Sequence, residues 1–207
     1  MKSPAQPRPL ILASGSPRRA ELLRDAGYQF NVMVPPLLEP DENSPHTDPA
    51  SHAESLAYFK AASIGVQPAG TTILAADTIA FVDGRIIGKP ADRRDAGRII
   101  RALSGTTHKV ITGVALTDEK RRLIHHDVST VRVRTLSDSA IESYLDTGLW
   151  EGKAGAYGIQ EQADPFVERL EGSFTNVVGL PMELLAQLFD RWLNGEGTRV
   201  ECGGAEP

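Results

Sequence analysis

What the chain lacks narrows its function first. It has a single cysteine, Cys202, in a Gly-rich terminal stretch. One thiol builds neither a disulfide framework nor a multi-cysteine zinc site, and the pattern fits a reducing cytoplasm. No apolar run approaches the roughly 20 residues that span a bilayer. Lys2 and Arg8 lie near the start, but no apolar segment follows them directly, so no secretory leader is expected. The net charge of −5 leaves no general basic surplus, which argues against nucleic-acid binding. There is no Gly-x-Ser-x-Gly elbow for a nucleophilic serine. His125 and His126 are adjacent, so on a strand they point to opposite faces and make a poor zinc pair. The stretch Gly84-Arg85-Ile86-Ile87-Gly88-Lys89-Pro90 is one residue short of a P-loop and ends in proline where a hydroxyl must meet Mg²⁺.

What is present suits one soluble domain. The 207 residues, 41% hydrophobic and 24% charged, can bury a sizeable core. Leu10–Ala13 reads as a buried strand, followed by Ser14-Gly15-Ser16-Pro17, where Ser16 can cap a helix and Pro17 suits its first position. Tyr28 to Val34 alternates as a half-buried strand, and residues 35–50 form an acidic, proline-rich loop with Glu39. A helix over 50–64 presents Leu56, Phe59 and Ala62 or Ser63 on one face, with Lys60 at its middle. The run 73–90 is a hairpin turned at Asp83-Gly84, a pair that accepts the positive φ angles of a tight turn. Asp92 caps a helix with Ala96, Ile99, Ile100 and Leu103 on one face. Long strands at 110–116 and 123–133, a helix after Ser137, a strand at 166–170 and an amphipathic helix with Leu184, Leu185, Leu188 and Trp192 complete the order. The expectation is an α/β domain over 1–193, two lobes around a cleft, with 194–207 a frayed polar tail.

Three features carry chemistry. Asp77 is a lone carboxylate inside an apolar strand, which is costly unless a partner or a metal meets it. The Ser14–Arg19 helix start points backbone N–H groups, hydroxyls, Arg18 and Arg19 at one place, a natural anion site. Gly148 to Gly158 holds four glycines, a loop where backbone must come close to something. Cations at Arg18, Arg19, Lys60, Lys89 and Lys153 with carboxylates Glu39 and Asp77 suit Mg²⁺-dependent attack of water on a polyphosphate.

The chain resembles the Maf family, also called septum formation proteins, which are nucleoside triphosphate pyrophosphatases. The stretches that carry the resemblance are Leu10–Arg19, Ala76-Asp77-Thr78, Gly88-Lys89-Pro90, Leu103-Ser104-Gly105, Lys153–Gln160 and Thr175–Pro181, in family order across residues 9–193. The resemblance implies the inosine triphosphate pyrophosphatase fold, a bent, elongated mixed sheet flanked by helices around a central cleft, usually as a homodimer. It implies Asp77 as general base or metal ligand, and Mg²⁺ or Mn²⁺ bridging phosphates with help from Glu39. Ser14, Ser16, Arg19, Lys60 and Lys89 would hold phosphates. Arg18, Thr78 and Gln160 occupy the positions that mark the dTTP/UTP branch; the 7-methyl-GTP branch has Trp, Gln and Glu there. Glu161 stands where the family commonly has glycine, and Leu38-Glu39-Pro40 where it has an acidic pair. The family's name also raises a nucleotide-sensing regulator of septum formation, and fold analogy alone raises removal of deaminated purine nucleotides.

Overall fold

The organising element is the 11-residue strand β3, Thr72–Val82, in a computed structural model that describes residues 4–36, 48–159 and 166–199. On one side β3 pairs antiparallel with β5 (Thr107–Thr117) without interruption from Ile73 to Phe81. β5 pairs in turn with the 13-residue β6, Arg121–Val133. These long antiparallel ladders form the spine of a mixed sheet ordered β2-β1-β3-β5-β6-β7, with β2 at Asn31–Met33, β1 at Leu10–Ala13 and β7 at Val167–Glu171.

On its other side β3 is shared. Parallel β1 covers Thr72–Leu74, and antiparallel β4 (Arg85–Ile87) covers Ala80–Val82. Among the described residues no strand pairs with Ala75–Ile79 on that side, so the sheet has a notch at Asp77-Thr78. Both neighbours point their C-terminal ends into it. β1 runs parallel to β3 and delivers Ser14-Gly15-Ser16 and helix α1 (Pro17–Asp25) to the notch. β4 runs back along β3 from the tight turn at Asp83 (φ 49) and Gly84 (φ 77) and delivers Gly88-Lys89 from the opposite direction.

Alternation along β3 sorts the layers. Leu74 and Ala76 face a cluster with Leu12, Val114 and Leu116 from the sheet and Leu185, Leu188, Phe189 and Trp192 of α6 (Met182–Leu193). Val110, Val131 and Val133 meet α3 (Arg93–Leu103) and α4 (Asp138–Asp146) on that face. Ile73, Ala75 and Ile79 face α2 (Pro49–Ser63) on the other. α2 lies close because Gly113 of β5 has no side chain: a Cβ there would stand 2.3 Å from the Ala53 carbonyl carbon and oxygen. The face α2 buries is accordingly small, Ala53, Leu56, Ala57 and Ala61, and Phe59, expected inside, is 56% exposed.

Other departures have similar causes. The strand expected over 28–34 is only Asn31–Met33 and exposed throughout, because it is the edge of the sheet. Tyr28 and Phe30 precede it and pack against the α6 cluster. Where a frayed tail is expected after residue 193, Thr198–Arg199 form β8 against Arg121–Arg122, braced by Arg121 Nη1 donating to the Glu196 carbonyl at 3.0 Å. Residues 200–207 lie outside the described residues. A short helix, α5 at Phe174–Val178, stands where only a lead-in to α6 is expected; Ser173 caps it by accepting from the Asn176 N–H. His125 and His126 do face opposite ways, to Arg191 of α6 and to Glu54 of α2.

Candidate active site

The notch opens into a cavity of about 640 Å³. One wall carries Ser14, Gly15, Ser16, Arg18 and Arg19; the floor carries Asp77, Thr78 and Lys60; the far wall carries Lys89, Lys153, Tyr157 and Gly158. Most of the residues singled out in the sequence therefore line one cleft. Glu39 and Gln160 lie outside the described residues.

Asp77 is 6% exposed and forms a salt bridge to Lys60 Nζ. Gly113 sits directly across the ladder from Asp77, and Ala53 packs on it. Lys60 is two helical turns beyond Ala53 on the same face of α2, so the close approach at Gly113 is what lays the ammonium over the carboxylate. The partner that a buried carboxylate requires is thus supplied by another element.

On the opposite face Arg19 reaches acceptors on separate segments of the chain. Nε donates to the Gly179 carbonyl at 2.7 Å, Nη1 to Ser14 Oγ at 3.2 Å and Nη2 to Thr78 Oγ1 at 3.0 Å. Thr78 Oγ1 lies 2.9 Å from Thr112 Oγ1, and Thr112 donates to the Asn176 carbonyl at 3.0 Å. The proton order follows: Arg19 donates to Thr78, Thr78 to Thr112, Thr112 to Asn176. Asn176, fully buried, donates through Nδ2 to the Val110 carbonyl and to Ser129 Oγ, at 3.0 and 2.9 Å. A polar rod thus crosses the core and ties α1, β3, β5, β6 and α5 together. It sets Arg19, rather than its neighbour Arg18, on Thr78. The Arg18 guanidinium lies instead by Gly158, where Nη1 would be 3.4 Å from a Cβ. Ser14 Oγ accepts from the Ser16 N–H at 3.2 Å, which holds the helix start open. Ser16 itself makes no side-chain cap.

Sequence reasoning passed over His108 and Tyr157. His108 is 2% exposed in the cleft wall, with Nε2 2.8 Å from Tyr157 Oη. Burial pushes the imidazole down to about 4 and the Tyr157 phenol up, so both are neutral at physiological pH. This has a consequence for stability. The unfolded imidazole titrates near about 6.5. Between these values the unfolded chain binds a proton that the folded chain does not, so stability rises with pH through that window and is lost as pH falls from 6.5 toward 4. The expected loss is about 2–3 kcal/mol. Urea midpoints measured across this window should fall more steeply for the wild type than for His108→Gln; parallel slopes would remove His108 as the cause.

The model of the family described as Maf-like protein matches residues 9–192. The chain belongs to the Maf-like family. Its relatives include a dTTP/UTP pyrophosphatase of Symbiobacterium thermophilum, 45% identical over 197 residues, or 95% of this chain and 98% of that one. Another, from Pyrococcus horikoshii, is 41% identical over 179 residues, 86% of this chain and 94% of that one, and carries the same name. Among solved structures, the Ham1 protein of Staphylococcus aureus matches 87% of this chain and 97% of its own with a TM-score of 0.50 at 12% identity. At that identity the likeness concerns the fold alone, and it bears out the mixed α/β sheet with flanking helices expected for this Maf-like chain.

Proposed function

We propose that this Maf-like protein hydrolyses dTTP and UTP to the nucleoside monophosphate and pyrophosphate within the cleft. The observation that carries the reading is the notch itself. Asp77 and Lys60 lie at its floor, and two cationic segments, Ser14–Arg19 and Gly88-Lys89, converge on it from opposite ends of the sheet. That is the arrangement a triphosphate needs, since its charge is spread over several oxygens. Relatives named dTTP/UTP pyrophosphatase, 40–45% identical, support the same substrate class.

In this reading the phosphates lie against the α1 start, whose backbone N–H groups and hydroxyls accept negative charge. The Lys60 ammonium has three donors, so it can hold Asp77 and a phosphate oxygen together. Asp77 directs the water that attacks the α-phosphorus, as its base or by orienting it. A carboxylate is a weak base toward free water, and a divalent cation bound here would supply the Lewis acidity that makes such a water more acidic. The residues fit such a cation in one form. Among the described residues no three His, Cys, Asp or Glu side chains gather. Mg²⁺ or Mn²⁺ would be held by Asp77 together with the substrate's phosphates, because Mg²⁺ commonly takes one or two protein carboxylates and leaves the rest to substrate and water.

The base would meet the Arg18–Gly158 side of the cleft, where Gln160 follows two residues later in the sequence, with Thr78 aligned by Arg19. A site whose polar groups pair one base edge rejects another by leaving those groups unpaired. Steady-state rates with Mg²⁺ on a triphosphate panel should favour dTTP and UTP over purine nucleotides by about a hundredfold in kcat/KM. A larger kcat/KM for 7-methyl-GTP than for dTTP would overturn the assignment.

A further inference from the structure

The His108–Tyr157 pair lies in the cleft wall and has no part in the reaction as described. His108 sits on β5 on the same face as Val110 and Thr112, and its ring meets that of Tyr157 edge-on, with centroids 5.7 Å apart at 86°. Its Nδ1 is buried without a hydrogen-bond partner among the described residues. An apolar residue here would remove that unsatisfied nitrogen but would also take the partner from the Tyr157 hydroxyl. The imidazole's evident contribution is its bond to Tyr157 Oη.

That bond holds an improbable backbone. Tyr157 ends a tight turn over Ala154–Ala156 in which Gly155 (φ 75) and Ala156 (φ 61) are both left-handed. Alanine adopts that conformation only when its surroundings enforce it. Two ties do so. Gly155 N–H donates to the Gly88 carbonyl at 3.1 Å, beside Lys89, and Tyr157 meets His108 on the spine. The same turn places Lys153, only 7% exposed, along Gly158 in the cleft wall.

We propose that His108 is a positioning residue: by fixing Tyr157 Oη it sets the 153–158 turn, and with it the Lys153 ammonium, at the height where the substrate's phosphates lie. The proposal rests on the polyphosphate-hydrolase reading for its kinetic readout but not for its binding readout. Tyr157→Phe removes one oxygen and keeps the packing. It should raise KM for dTTP about tenfold with kcat changed by less than about threefold, and weaken inorganic tripolyphosphate binding, measured by calorimetry, by a similar factor. His108→Leu should do the same. His108→Gln, whose amide reaches the Nε2 position, should recover most of the loss. A folded Tyr157→Phe protein with wild-type KM and wild-type tripolyphosphate affinity would overturn the proposal, as would a fall in Tm alone. If His108→Leu does not fold, Tyr157→Phe decides. If the wild type leaves dTTP intact yet Tyr157→Phe weakens tripolyphosphate binding, the substrate reading fails and the positioning role stands.

Discussion

Asp77→Asn should lower pyrophosphate release from dTTP by about a thousandfold or more and leave the protein folded. The side chain keeps its shape and one oxygen to accept from Lys60, so the contact between α2 and β3 survives as a neutral hydrogen bond. What disappears is the negative charge that, in the proposed mechanism, would direct water and help hold a divalent cation. The stability cost is that of a buried ammonium deprived of its counter-charge, softened because the acceptor remains; about 1–3 kcal/mol is expected. Two measurements separate the effects: single-turnover hydrolysis of dTTP and the urea midpoint. A folded Asp77→Asn protein with near-normal turnover would take Asp77 out of the mechanism.

Gly113→Ala should be the most damaging single-methyl addition in the spine. The new Cβ would lie 2.3 Å from the Ala53 carbonyl carbon and oxygen and 2.5 Å from the Glu54 nitrogen. All three are helix backbone atoms, so no side-chain rotation relieves the clash. α2 must move away as a unit and give up packing by Ala53, Leu56, Ala57 and Ala61. A loss of about 3 kcal/mol or more is expected, at the upper end of what overpacking costs. Activity should fall as well at temperatures where the variant is folded, because Lys60 rides on the same helix and would be drawn off Asp77. An unchanged urea midpoint would show that the helix accommodates the methyl group.

Gly113 also shows what the sequence conceals. A glycine inside a strand run signals that another backbone comes close, but nothing in Thr112-Gly113-Val114 says which backbone. Local chemistry was legible: the Asp83-Gly84 turn, the Asp92 and Ser137 caps, and the buried stripe Ala96, Ile99, Ile100 and Leu103 all form as patterned. Contacts between distant segments were not. Lys60 on its own is an ordinary helix lysine, and its meaning comes from Asp77, 17 residues away on another element. The Arg19–Thr78 bond spans 59 residues and the His108–Tyr157 bond 49. Thr106 to Lys109 reads only as a lead-in to the strand expected at 110–116, and nothing in that stretch tells a histidine facing a cleft from one facing core. Helix α5, five residues long, is too short for a helical period to register.

The uninterrupted β3–β5–β6 ladder sets the mechanical character of the molecule. Periplasmic binding proteins and many kinases close around their ligands by bending at a few connecting residues. Here the strand bearing Asp77 and Thr78 belongs at once to the half built on β1 and the half built on β4. To rotate one half against the other, continuous rows of backbone hydrogen bonds would have to break. The two segments that would grip a triphosphate in the proposed reading are therefore parts of a single stiff girder, with a spacing set by the strand register. On the proposed reading, the described elements would select among nucleotides as a fixed gauge, by length and edge pattern.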